Sequence, residues 1–109
     1  MALGDYVLLK VYDALGHTGN VYYERFVHYI EDLIWDNVAR ELVENPTWED
    51  SAIILVEEGE TGTFPVVVPA GLPEGRYDYI VYRQVGSVPQ NTDDIEKQGS
   101  FSKGGEFGF

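Results

Sequence analysis

The stretch 24-ERFVHYIEDLIWDNVARELVE-44 decides what kind of fold this chain adopts. Apolar side chains at Phe26, Ile30, Leu33, Ile34, Val38 and Leu42 recur at steps of three and four, the spacing of an amphipathic helix. The same residues hold two β-prone runs, 26–30 and 33–35, on either side of an acidic pair, Glu31-Asp32, able to make a turn. Periodicity alone favours the helix. The choice decides whether a long helix interrupts a chain that elsewhere is patterned for strands.

Upstream, residues 6–12 (YVLLKVY) are rich in β-formers and end at Asp13-Ala14-Leu15-Gly16. A polar loop, His17-Thr18-Gly19-Asn20, leads into Val21-Tyr22-Tyr23. Downstream, Asn45-Pro46 breaks the pattern. The apolar run 51–56 (SAIILV) then reads as a strand buried on both faces. Residues 57–62 form a turn, and 64–68 (FPVVV) a further strand, with Pro65 placing it at an edge or at its own start. A second turn-rich connection, 69–75, precedes 76–85 (RYDYIVYRQV), the clearest strand of all. Short strands separated by turn signals predict a β-sandwich. The last eleven residues, 99–109, are glycine-rich and carry Phe101, Phe107 and Phe109.

At 109 residues the chain is most simply one domain with one modest core. Its apolar and aromatic fractions, 44% and 14%, are those of a folded protein. It has no cysteine, which excludes disulfides and thiolate metal sites. The N-terminus has no basic start and no run approaches the roughly 18 apolar residues of a membrane span, so a protein made without export is expected. The formal charge is −12, and the segment 31–60 carries ten acids against Arg40 alone. No basic footprint exists to neutralise phosphates, so nucleic acid is not an expected partner. A basic partner surface, or solubility alone, accounts for the charge.

Residue patterns for chemistry are sparse. His17 sits in a turn-like loop and His28 inside an apolar element, and both read as structural. No zinc-binding, phosphate-cradling or nucleophile–base pattern is present. The run Asp93-Asp94-Ile95-Glu96 offers oxygen ligands but lacks the spacing of a calcium loop, and reads as a solvated turn. No catalytic, cofactor or metal residue is assigned. Gly75-Arg76-Tyr77, by contrast, has the arrangement of the tyrosine corner of immunoglobulin-like sandwiches, in which a buried phenol bonds back to the backbone. Alternation places Tyr77, Tyr79 and Val81 on one face and Ile80 and Tyr82 on the other, so both faces of this strand require cover.

From Leu33 onward the chain resembles small β-sandwich modules of virion structural proteins in tailed bacteriophages and prophages. The likeness runs through Ile34-Trp35-Asp36-Asn37, Trp48, Ala52-Ile53-Ile54-Leu55 and Glu57. It continues through Gly62-Thr63-Phe64, Pro69-Ala70-Gly71, Gly75-Arg76-Tyr77, Val81-Tyr82-Arg83-Gln84, Gly86, Pro89 and Asp93. It covers about two-thirds of the chain on turn and core residues. The resemblance implies a strand pair before Trp35, which turns the expectation for 26–35 from helix to hairpin.

The resulting expectation is a mainly β, single immunoglobulin-like or Greek-key β-sandwich over residues 1–98. Residues 1–24 would be an N-terminal strand or arm, 36–45 would include a short helix, and 99–109 would be an extended C-terminal arm. The resemblance further implies a non-enzymatic virion protein, a capsid decoration (cement) protein that forms a homo-oligomer, a trimer, on the major capsid protein. A tail- or fibre-associated module and a carbohydrate-binding adhesion module are the alternatives, with an acidic inhibitor or nucleic-acid mimic behind them. Candidate interface residues are Tyr82, Arg83, Trp35, Trp48, Phe101, Phe107 and Phe109; a sugar-binding role would use exposed rings among Trp35, Trp48 and Tyr82.

Overall fold

In a computed structural model, which describes residues 6–13, 19–29, 32–59 and 61–103, the ambiguous stretch is a hairpin. Strand β2 (Tyr22–His28) pairs antiparallel with β3 (Ile34–Asp36) through Val27 and Ile34. The reversal is closed by His28 N–H donating to Leu33 O at 2.7 Å and Asp32 N–H to His28 O at 3.1 Å. Asp32 adopts φ 54°, a left-handed conformation that aspartate tolerates better than most residues. The helical period is therefore overridden. In extended form the rings of Phe26 and Trp35 are both fully buried in one core.

No helix forms within 36–45. Asp36 Oδ1 accepts the N–H groups of Val38 and Ala39, both at 2.9 Å, and Arg40 takes φ 61°. That side-chain-to-backbone turn competes successfully with helix and returns the chain as β4 (Glu41–Val43) beside β3. The one short helix, α1 (Trp48–Ser51), lies beyond Pro46 and is capped by Thr47, whose hydroxyl accepts from Asp50 N–H at 3.2 Å. Ser51 thus belongs to α1. The strand expected over 51–56 shrinks to β5 (Ile53–Ile54), and Ile54 and Val56 are 51% and 77% exposed. A strand buried on both faces is not what this run forms, because it pairs only with the first half of β2.

Strand β1 (Tyr6–Tyr12) pairs antiparallel with β6 (Thr63–Val68) as a two-stranded sheet. The larger sheet has the order β4–β3–β2–β7–β8, where β7 is Gly75–Arg83 and β8 is Asp94–Lys103, with β5 also on β2. Pairing of the first strand with the sixth, over a sheet in which the second neighbours the seventh, is the strand order of an immunoglobulin-type sandwich. Val11, Phe64, Val66 and Val68 from the small sheet meet Tyr22, Phe26, Tyr77, Tyr79 and Val81 from the large one. The alternating burial of β6 matches its period-2 pattern.

The tyrosine corner forms as expected. Tyr77 is fully buried at the start of β7, and its hydroxyl donates to Pro73 O at 2.6 Å. Gly75 beneath it takes φ 151°, and a Cβ there would lie 2.8 Å from His28 Nε2. His28 stands edge-on to the Tyr77 ring at 5.2 Å, which fits its structural reading.

The boundary drawn between 98 and 99 falls inside β8. This strand continues to Lys103, whose ammonium bonds Leu72 O, and Phe101 packs on Phe26 and Tyr77 at 5.8 Å each. Residues 99–103 are sheet because Gly99 lets Tyr79 lie across the strand: a Cβ at that position would be 2.6 Å from the Tyr79 hydroxyl. Phe107 and Phe109 lie outside the described residues.

Two substitutions test this account by urea unfolding. Tyr77→Phe removes the corner bond and is expected to cost about 1–3 kcal/mol. Gly99→Ala forces the buried Tyr79 ring aside and is expected to lower the unfolding midpoint without changing the slope.

Candidate functional site

The large sheet has two faces with different chemistry, both set by strand alternation. On β2, Tyr22, Glu24 and Phe26 point toward the small sheet, whereas Tyr23 and Arg25 point away from it.

On the outward face Tyr23 is fully buried and central to a polar network. Its hydroxyl donates to Asp93 Oδ2 at 2.6 Å and accepts from Trp48 Nε1 at 2.7 Å. Asp93 also accepts the N–H of Gln90 at 2.8 Å and of Val85 at 3.0 Å. Arg25 Nε donates to Ser51 Oγ at 2.8 Å while its guanidinium lies 3.5 Å from the centre of the Trp48 ring. Tyr82 stacks on Tyr23 at 5.1 Å and meets Trp48 edge-on at 5.3 Å. The network clamps α1 and the 84–93 loop to the sheet. Burial, with the bond to Asp93, pushes the Tyr23 phenol far above its ordinary value, which keeps the hydroxyl protonated as a donor. Burial alone would raise the Asp93 carboxyl, but the bonds from Tyr23, Gln90 and Val85 outweigh it and hold that group below the usual carboxylate range.

This placement revises the sequence-nominated residues. Tyr82, a candidate interface residue on a face that required cover, is buried by Tyr23 and Trp48 of its own chain. Trp35 is fully buried, with the Arg40 guanidinium 5.3 Å from its ring, and Phe101 is core-packed. Neither Trp35 nor Tyr82 is offered to solvent as a flat stacking platform. Arg83 stays at the surface and pairs with Asp94, an exposed ion pair of small energetic weight. Asp93, read as part of a solvated turn, is instead buried; the phenol and the two N–H groups it serves lie up to 70 residues away in sequence. Among the described residues no group of three or more His, Asp or Glu is placed to hold a metal ion. Nor is any helix of the described residues long and apolar enough to cross a membrane.

On the inward face, Glu24 is a carboxyl that no sequence signal marked. It is fully buried, and Oε1 accepts Val67 N–H from β6 at 3.3 Å, a polar tie between the sheets. Oε2 is sealed from solvent and has no hydrogen-bond partner. Burial pushes the Glu24 pKa up to about 9, partly offset by the Val67 bond. Glu24 lines a pocket of about 280 Å³ at the open side of the sandwich, whose other walls are Ile53, Ile54, Leu55, Val56, Pro65 and Val67.

A third feature is the outer edge of β8. Among the described residues this strand has β7 on one side and no strand on the other. Past the register shift opposite Val81 and Tyr82, residues 98–102 (QGSFS) carry no charge.

The two buried carboxyls make opposite pH predictions. Glu24 holds its proton in the folded state and loses it in the unfolded chain, so stability present below the ordinary value of 4.5 is lost as pH rises toward about 9. Glu24→Gln keeps the acceptor for Val67 and is expected to gain stability over wild type progressively from mildly acidic to mildly alkaline buffer. Asp93 behaves inversely: its contribution is present above its ordinary value of 3.8 and fades only as pH falls through the depressed one. Asp93→Asn is expected to cost about 1–3 kcal/mol across the neutral range, with the gap to wild type narrowing in acid. Urea midpoints across pH check both. Compared with known proteins, the chain matches no protein-family model, no curated protein and no solved structure.

Proposed function

We propose that this chain is a non-enzymatic structural module of a tailed-phage virion, a capsid decoration protein that assembles with copies of itself on the shell. The observation that carries the assembly part is the outer edge of β8, where an uncharged five-residue stretch has no neighbouring strand among the described residues. Natural sheets blunt such edges with charge, proline or cover unless the edge is used for pairing. Strand addition at this edge supplies main-chain hydrogen bonds, and the exposed side chains of Gln98, Ser100 and Ser102 supply selectivity. The virion setting rests on the resemblance of residues 33–93, and the immunoglobulin-type strand order and tyrosine corner agree with it. The strongly acidic surface suits docking on a basic partner.

The carbohydrate-binding alternative loses its support from the geometry. Trp35 and Tyr82 are enclosed, and the Trp48 ring is covered by Arg25 and met by Tyr82.

Light scattering on the purified chain, with co-sedimentation on decoration-free phage shells, tests the proposal. An oligomer that binds shells is expected. The double variant Gln98→Lys, Ser100→Lys places charge on the edge and is expected to weaken self-association at least tenfold while leaving the urea midpoint nearly unchanged. A monomer with no affinity for shells overturns the reading.

A further inference from the structure

Among the described residues Glu24 has the only buried carboxyl oxygen without a hydrogen-bond partner, and it lies at a pocket the proposed assembly does not use. We propose that this pocket binds an aliphatic primary ammonium, the side chain of a lysine on a partner protein, with its alkyl stem against the aliphatic walls and its nitrogen on the Glu24 carboxyl.

The composition of the pocket selects that chemistry. At about 280 Å³ it lies at or below the small end of ligand sites, enough for an alkyl chain and too small for a drug-sized molecule. Six of its seven lining residues are aliphatic or proline, and the remaining one is the carboxyl. Exposed Ile54 and Val56 stand at the rim, so the opening reaches solvent through apolar side chains. A lysine carries a four-carbon stem suited to such walls and a compact charge at its tip. An arginine would bring five fixed N–H donors to a site with one free acceptor.

Charge points the same way. Among the described residues no other ionisable side chain lines the pocket, and the causes of the shift at Glu24 are its burial and the Val67 bond. The nearby acids are engaged on their own account: Glu57 accepts Gly62 N–H at 2.7 Å, and Glu58 pairs with Lys10 at 2.9 Å. Among the described lining residues a cation meets no positive group, and the net charge of −12 favours its approach. On binding, the Glu24 carboxyl gives its proton to solvent, and the resulting carboxylate accepts a hydrogen bond from the incoming ammonium. No other bond changes.

The test is an amide-resolved NMR titration of the full chain with n-butylamine, with n-butanol as the uncharged control. Further arms use a blocked Gly-Lys-Gly peptide and its Nε-acetyl-lysine twin. Saturable shifts at Leu55 and Val67 are expected for the amine and the lysine peptide. Affinity is expected to rise roughly tenfold per pH unit below about pH 9, as the bound state holds one proton fewer. Glu24→Gln is expected to abolish both the pH dependence and the preference over n-butanol. Equal binding of n-butanol to the wild type overturns the proposal, and this control does not depend on the variant folding. So do binding of the acetylated twin as tight as the lysine peptide, binding of n-butylamine without the lysine peptide, and absence of saturable shifts in mildly alkaline buffer.

Discussion

The register between β2 and β7 is the constraint on which the rest of this structure depends. Seven successive pairs, from Tyr22 opposite Arg83 to His28 opposite Tyr77, lock the two central strands together. A slip by one residue would exchange the faces, sending Phe26 to the outside and Tyr23 into the core. Two devices resist that slip. The Tyr77 hydroxyl anchors the start of β7 to Pro73, and Gly75 admits the close approach of His28 at the paired end. With the register held, the small sheet has a single apolar face on which to pack.

The same register places a polar group on each side of the sheet and resolves the two differently. Outside, Tyr23 reaches Asp93 and Trp48, and Asp93 also accepts the N–H groups of Val85 and Gln90. Such a satisfied network is rigid and holds the 84–93 loop as an extension of the sheet. Inside, Glu24 occupies a position that alternation assigns to the core. It finds one donor, Val67 N–H, and leaves one oxygen unmatched. A buried carboxyl in that state is favoured in its protonated form, and its second oxygen is an unsatisfied acceptor inside the sandwich.

Legibility in the sequence followed the range of the forces involved. The strands at 6–12, 64–68 and 76–85, the break at Pro46 and the corner at Tyr77 rest on alternation and turn chemistry spanning a few residues, and they appear where they were read. The 26–35 hairpin was masked because its apolar residues fit both periods, and only the core around Phe26 and Trp35 selects one. The 51–56 run misled because continuous apolarity was taken for two-sided burial. Its outer members instead form the rim of a pocket. Tyr82 and Trp35, named as interface candidates, are buried by the chain's own packing, and Phe101 is partly buried against the core.

The sequence by itself determined a mainly β chain, its strands near 6–12, 64–68 and 76–85, its acidic composition and a tyrosine corner, since each follows from local pattern or from composition. Only the tertiary structure decided which of nineteen acidic side chains matter. Glu24 and Asp93 look like any other carboxylates in the sequence. Their burial is produced by β6 and by β2, elements 43 and 70 residues distant along the chain. Desolvation depends on what covers a group in space, and no local pattern encodes that cover.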